Sequence, residues 1–110
     1  MRQGEIWFAD LDPAKGSEQS GRRPVVIVSG DALNESLPIV IVVPITSKVK
    51  RYPTCVLVPA GRTSGLKKDS EAIPFQIRVI AKKRLAKKIG RVTAVELQDI
   101  LKGLFVALTH

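Results

Sequence analysis

Pro38-Ile39-Val40-Ile41-Val42-Val43-Pro44-Ile45 decides the fold class of this chain. An almost unbroken apolar run rich in β-branched side chains reads as a strand buried on both faces. Outward from it, residues 5–11 predict a first strand ended by Asp12-Pro13, and residues 24–29 a second, rich in Val and Ile. Residues 54–59 predict a fourth, and 71–73 and 77–80 are shorter candidates. Pro, Gly, Asn and Asp punctuate the gaps, as strand connections require. Lys82-Lys83-Arg84-Leu85 predicts a single helical turn before residues 89–92 return to extended backbone.

The end of the chain changes period. Thr93-Ala94-Val95-Glu96 has the spacing of a capping box. Leu97, Ile100, Leu101, Leu104, Phe105 and Leu108 follow at helical spacing and predict one apolar stripe lying on the strands. Short strands plus a terminal helix give a mainly β fold: a small, twisted, partly closed barrel with one packed helix, residues 1–110 forming a single domain.

Composition narrows the partner. The 110 residues carry a formal net charge of +8. Thirteen of the 18 Lys and Arg fall between residues 48 and 91, where Asp69 and Glu71 are the only acids. The remainder nets −3, and such segregation points to an anionic partner. No apolar run approaches the ~20 residues that span a bilayer, so no membrane partner is expected. The chain enters polar Gln3-Gly4-Glu5 with no signal-peptide pattern and holds one cysteine, Cys55. These point to the cytoplasm and to an inert, buried thiol within a strand.

The longest polar stretch is Leu11-Asp12-Pro13-Ala14-Lys15-Gly16-Ser17-Glu18-Gln19-Ser20-Gly21-Arg22-Arg23-Pro24. Gly16 and Gly21 let the backbone bend, and Pro24 biases Arg23 toward an extended conformation against the following strand. A planar, permanently charged guanidinium presented in this way suits a phosphate. Gly16 and Gly21 have Walker A spacing, but Arg22-Arg23 and a strand follow where that motif needs Lys-Ser/Thr and a helix. Metal chemistry has no cluster to rest on: His110 is the only histidine, and Asp12 before Pro13 reads as a turn carboxylate. No metal and no cofactor is expected. Thr46-Ser47 follow the central strand directly, so their hydroxyls either donate to phosphate oxygens or cap the next turn. Gln76 and Arg78 alternate with Phe75, Ile77 and Val79 and predict a polar sheet face opposite an apolar one. Trp7 reads as a core or interface residue in preference to a base-stacking one.

Together these features resemble the MazF/PemK (Kid) family of toxins from bacterial toxin–antitoxin pairs. The matching segments are Gly4-Glu5-Ile6-Trp7, Leu11-Asp12-Pro13 with Gly16-Ser17-Glu18-Gln19-Ser20-Gly21-Arg22-Arg23-Pro24-Val25, Val42-Val43-Pro44-Ile45-Thr46-Ser47, and Gln76-Ile77-Arg78. The resemblance implies an SH3-like barrel of the CcdB/PemK/MazF type, a homodimer, and a metal-independent endoribonuclease that cuts single-stranded RNA, often messenger RNA. It also implies an acidic antitoxin that silences the same surface. Carried over by position, the catalytic residues are Arg23 and Thr46. Glu18 is the motif's carboxylate, to take a proton or orient Arg23, and Ser17, Gln19, Ser47, Gln76 and Arg78 line the RNA path. Ser17 and Arg22 stand where some members have a histidine, and Phe75 where some have an acid. Two other readings fit a basic barrel: a non-catalytic CcdB-like toxin that binds a protein such as gyrase, and a plain RNA-binding barrel.

Overall fold

The computed structural model describes residues 1–11 and 21–110. Strand β3 (Ile39–Thr46) is the hub of one antiparallel sheet. Along one edge it pairs β2 (Arg22–Ile27). Along the other it pairs two strands in succession, β6 (Arg78–Ala81) and then β5 (Ser70–Ala72). The sheet continues from β2 to β1 (Glu5–Asp10) and β7 (Leu85–Arg91), and from β5 to β4 (Val56–Val58). Two irregularities in the β1–β7 pairing, at Ile6/Trp7 and Phe8/Ala9, bend that side of the sheet.

The apolar run at residues 38–45 is explained by burial on both faces. Val43 and Ile45 join Val26 and Val28 in one core, with Ile6, Val58, Leu66, Ile100 and Leu104. Val40 and Val42 join Val25 and Ile27 in the other, with Ala9, Leu11, Ile80 and Leu85. Successive side chains of a strand alternate between these cores, so both faces of the run are apolar.

Helix α2 (Ala94–Thr109) closes the first core. Its expected cap is present: Glu96 N–H donates to Thr93 Oγ1 at 3.1 Å, and Thr93 N–H donates to Glu96 Oε1 at 2.8 Å. The predicted stripe is corrected, however. Ile100 and Leu104 are buried and Leu97 partly so, while Leu101, Phe105 and Leu108 are exposed. The seat is narrow: α2 rests on three-residue β4 and on the 3₁₀ turn Pro74–Gln76. Gly103 makes the close approach possible, because a Cβ there would lie 2.6 Å from Thr54 O.

A second correction concerns residues 75–79. Pro74–Gln76 is the 3₁₀ turn, so Gln76 does not lie on a strand. The turn adds three residues between the two stretches that pair with β3. Phe75, Ile77 and Val79 are therefore exposed, while Gln76 and Arg78 are half-buried, the reverse of the sequence expectation. Helix α1 (Asp31–Ser36) was not anticipated; its Asp31 Oδ1 accepts Gln3 N–H at 2.8 Å, and its Asn34 is buried against Ser29. The helical turn at residues 82–84 forms as expected, and β7 begins directly after it.

Glu5 ties the first strand to the last. Its Oε1 accepts Arg2 N–H and Trp7 Nε1–H, each at 3.0 Å, and its Oε2 lies 2.9 Å from Lys88 Nζ. Burial alone would raise its pKa, but these donors and the Lys88 charge outweigh it and hold the carboxyl at about 2, down from 4.5. The folded pKa is depressed, so this stability is present above about pH 4.5 and is lost as pH falls toward 2. Glu5→Gln should lower stability at pH 7 by at most about 3 kcal/mol in urea melts, with the gap narrowing from pH 4.5 downward. A pH-independent gap would contradict this account.

Candidate functional site

Of the expected site residues, Arg23 lies at the start of β2, Thr46 at the end of β3 and Ser47 directly after it. The β2–β3 pairing runs from Ile27 with Val42 to Val25 with Pro44, so Arg23 lies two residues before that end on β2 and Thr46 two residues beyond it on β3. Pro24 does what the sequence suggests: Arg23 is already in β2, paired with Ala9 of β1, and is exposed to solvent.

Two cavities flank this end. The larger, about 650 Å³, is lined by Arg23, Ser47, Lys67, Lys68, Lys87 and Lys88 above apolar Phe8, Ile45 and Leu66. Among the described residues it has no acid in its lining. One wall is the loop around Gly65, whose positive φ of +72° and contact with β7 admit no side chain, since a Cβ would lie 1.8 Å from Ile89 O. The smaller cavity, about 290 Å³, is lined by Thr46, Gln76, Glu71, Lys48 and Lys50, with Tyr52 and Phe75. Thr46 and Ser47, adjacent at the strand end, thus serve one cavity each.

Thr46 is buried, and its Oγ1 accepts Lys48 N–H at 3.1 Å. The turn-capping reading is therefore realised, yet a hydroxyl that accepts keeps its own proton to donate. Arg78 lies outside both cavity linings, on β6 opposite Val42 of β3. Ser17, Glu18 and Gln19 lie outside the described residues.

Sequence reasoning missed Glu71. It pairs with Thr46 across β3–β5, is 2% exposed, and accepts Lys50 N–H at 3.0 Å and Arg51 N–H at 3.2 Å. A carboxylate so placed fixes the loop that leaves Thr46. The signal available was that Glu71 is one of only two acids inside a basic stretch. Cys55 precedes β4 instead of lying within it. Burial first, and then the Glu71 charge, push its thiol up to about 11 from 9.0. Trp7 packs against the second core, as expected of a structural tryptophan. Among the described residues no three His, Cys, Asp or Glu side chains form a group able to hold a metal ion. None of the described helices is long and apolar enough to cross a membrane.

A curled sheet, one packed helix and a cation-lined cavity beside a hydroxyl pair define a small basic β-barrel suited to a polyanion. Residues 2–108 match the family described as PemK-like, MazF-like toxin of type II toxin–antitoxin system, and the chain belongs to that family. It is 47% identical over 110 residues to Endoribonuclease MazF9 of Mycobacterium tuberculosis, covering 94% of this chain and 92% of that protein. The crystal structure of MazF from Deinococcus radiodurans matches at a TM-score of 0.86 and 25% identity, covering 100% of this chain and 97% of that one. An endoribonuclease in complex with its cognate antitoxin, from mycobacterial species, matches at 0.82 and 25%, covering 98% and 94%. The expected barrel type is confirmed by these likenesses.

Glu71→Gln keeps the shape but can accept only one of the two N–H groups. Its urea midpoint should fall by the equivalent of about 1–3 kcal/mol with unchanged slope. A wild-type midpoint would remove the clamp. Alkylation of Cys55 at pH 8 should run roughly a hundredfold slower than that of an unperturbed thiol. A rate profile centred near pH 9 would contradict its environment.

Proposed function

We propose that this chain is a metal-independent endoribonuclease toxin that cuts single-stranded RNA, messenger RNA included, within short sequences. The observation that carries the reading is a cation-lined cavity that holds Arg23 and Ser47 at the end of two paired core strands, with Thr46 next to Ser47 in the chain. Family membership and the 47% identity to an endoribonuclease support it.

The substrate supplies the nucleophile. A ribose 2′-oxygen bonds to the adjacent phosphorus, the bond from phosphorus to the 5′-oxygen breaks, and a 2′,3′-cyclic phosphate and a 5′-hydroxyl result. The 2′-hydroxyl loses a proton and the leaving oxygen gains one. Arg23 donates two hydrogen bonds to the phosphate oxygens, where negative charge builds in the transition state. Thr46 donates a third. In this reading Glu18, the motif's carboxylate, receives the 2′-proton or orients Arg23. Ser17, Gln19, Ser47, Gln76 and Arg78 line the RNA path, and Lys67, Lys68, Lys87 and Lys88 track the backbone. Binding is accordingly salt-dependent. DNA binds to the same surface without being cut, because it lacks the 2′-hydroxyl.

The same cationic surface suits an acidic antitoxin. Among the structural neighbours, the mycobacterial endoribonuclease is in complex with its cognate antitoxin. The working unit in this reading is a cytoplasmic homodimer of 110-residue toxin domains.

Purified protein should cleave single-stranded RNA in the presence of a chelator. Arg23→Lys keeps the charge but loses the planar fork, and should reduce the rate on the order of 100-fold at unchanged fold stability. Thr46→Ala should lower it comparably. Cleavage that needs Mg²⁺, or near-wild-type cutting by Arg23→Lys, would overturn the proposal.

A further inference from the structure

Two of the chain's few aromatic side chains meet beside Thr46. Tyr52 and Phe75 form an edge-to-face pair, with ring centroids 6.2 Å apart and planes at 61°. Both line the smaller cavity with Thr46, Gln76, Lys48 and Lys50. Neither serves the core, for Tyr52 is 52% and Phe75 49% exposed.

Both rings are held out by local irregularities. Phe75 sits in the 3₁₀ turn that interrupts the pairing of β5 and β6 with β3. Tyr52 lies between Arg51 and Thr54, the only described non-glycine residues with positive φ, at +56° and +75°. Such backbone is strained and persists only where surrounding structure enforces it. Here the enforcement is visible: buried Glu71 accepts the Lys50 and Arg51 N–H groups, and Cys55 N–H donates to Tyr52 O at 3.1 Å. The fold therefore spends strain and a buried carboxylate on presenting an aromatic ring to solvent.

We propose that Tyr52 and Phe75 form a base-stacking subsite that takes one unpaired nucleobase of single-stranded RNA next to the cleaved linkage. The inference rests on the ribonuclease reading and adds a contact to it. Single-stranded nucleic acid is held by a cationic groove that tracks phosphates and by aromatic faces that stack bases. Lys48 and Lys50 supply the first beside this cavity, and the ring pair supplies the second. An aromatic face accepts any base, so the subsite adds affinity and positions the strand over Thr46.

The test uses two dye-labelled decamers that the protein cannot cut: a mixed-sequence 2′-deoxy strand, and an abasic strand with the same number of phosphates. Fluorescence anisotropy gives both affinities for the wild type, Phe75→Ala, Tyr52→Ala and Phe75→Trp. Each alanine variant should weaken the base-bearing strand about fivefold or more while leaving the abasic strand within about twofold. Phe75→Trp should keep wild-type discrimination. Equal weakening of both strands, or of neither, would overturn the subsite. So would a change in sedimentation mass of unbound Phe75→Ala, which would make the pair a protein contact. The two readings fail separately. Wild-type protein that neither binds the strands nor cuts RNA sinks the ribonuclease reading along with the subsite. Wild-type protein that cuts RNA while Phe75→Ala leaves discrimination intact sinks the subsite alone.

Discussion

The structure depends on the burial of strand β3 along both edges and both faces. β2 takes one edge, β5 and β6 share the other, and a separate apolar core packs on each face. A strand so enclosed has no freedom of register, because a one-residue slip would exchange every side chain between the two cores. That rigidity sets where Thr46 emerges. It also sets where Arg23 stands, since β2 is locked to the same strand. The candidate site lies at the end of this well-specified sheet, where the β2–β3 pairing stops.

Around that end, irregular backbone does the shaping. The three-residue insertion at Pro74–Gln76 lifts Phe75 and Gln76 out of the sheet. The Gly65 loop lies against β7 and walls the larger cavity. Among the described residues Glu71 is a buried acid at this end, and its two backbone donors account for its presence in a basic neighbourhood. Arg23, Lys67, Lys68, Lys87 and Lys88 all contribute to the lining of the larger cavity. Lys88 also pairs with Glu5 and so links that cavity to the strand junction that holds the chain's start.

Much of this could be read from the chain because the relevant signals are local. β-Branched runs marked the strands, and Thr93 with Glu96 marked the helix start. The family resemblance named Arg23 and Thr46, and both stand at neighbouring strand ends. What escaped reading depends on three-dimensional accommodation. The α2 stripe looked uniformly buried, but the seat beneath it is too narrow for Phe105 and Leu108. Alternation at residues 75–79 looked like a strand, yet a proline-started turn reversed which side faces out. Helix α1 is short and held by tertiary contacts from Gln3 and Ser29, so its own sequence carries little periodicity. Glu71 and Tyr52 gain meaning only once the loop after Thr46 closes over them.

The central proposal is that Arg23 and Thr46, at neighbouring ends of β2 and β3, act on one phosphate. Single-turnover cleavage of one RNA by wild type, Arg23→Ala, Thr46→Ala and the double variant measures this directly. Groups that serve the same transition state are strongly non-additive. The account predicts a double variant about as slow as the slower single one. A double variant whose loss equals the product of the two single losses would show two independent roles and contradict it.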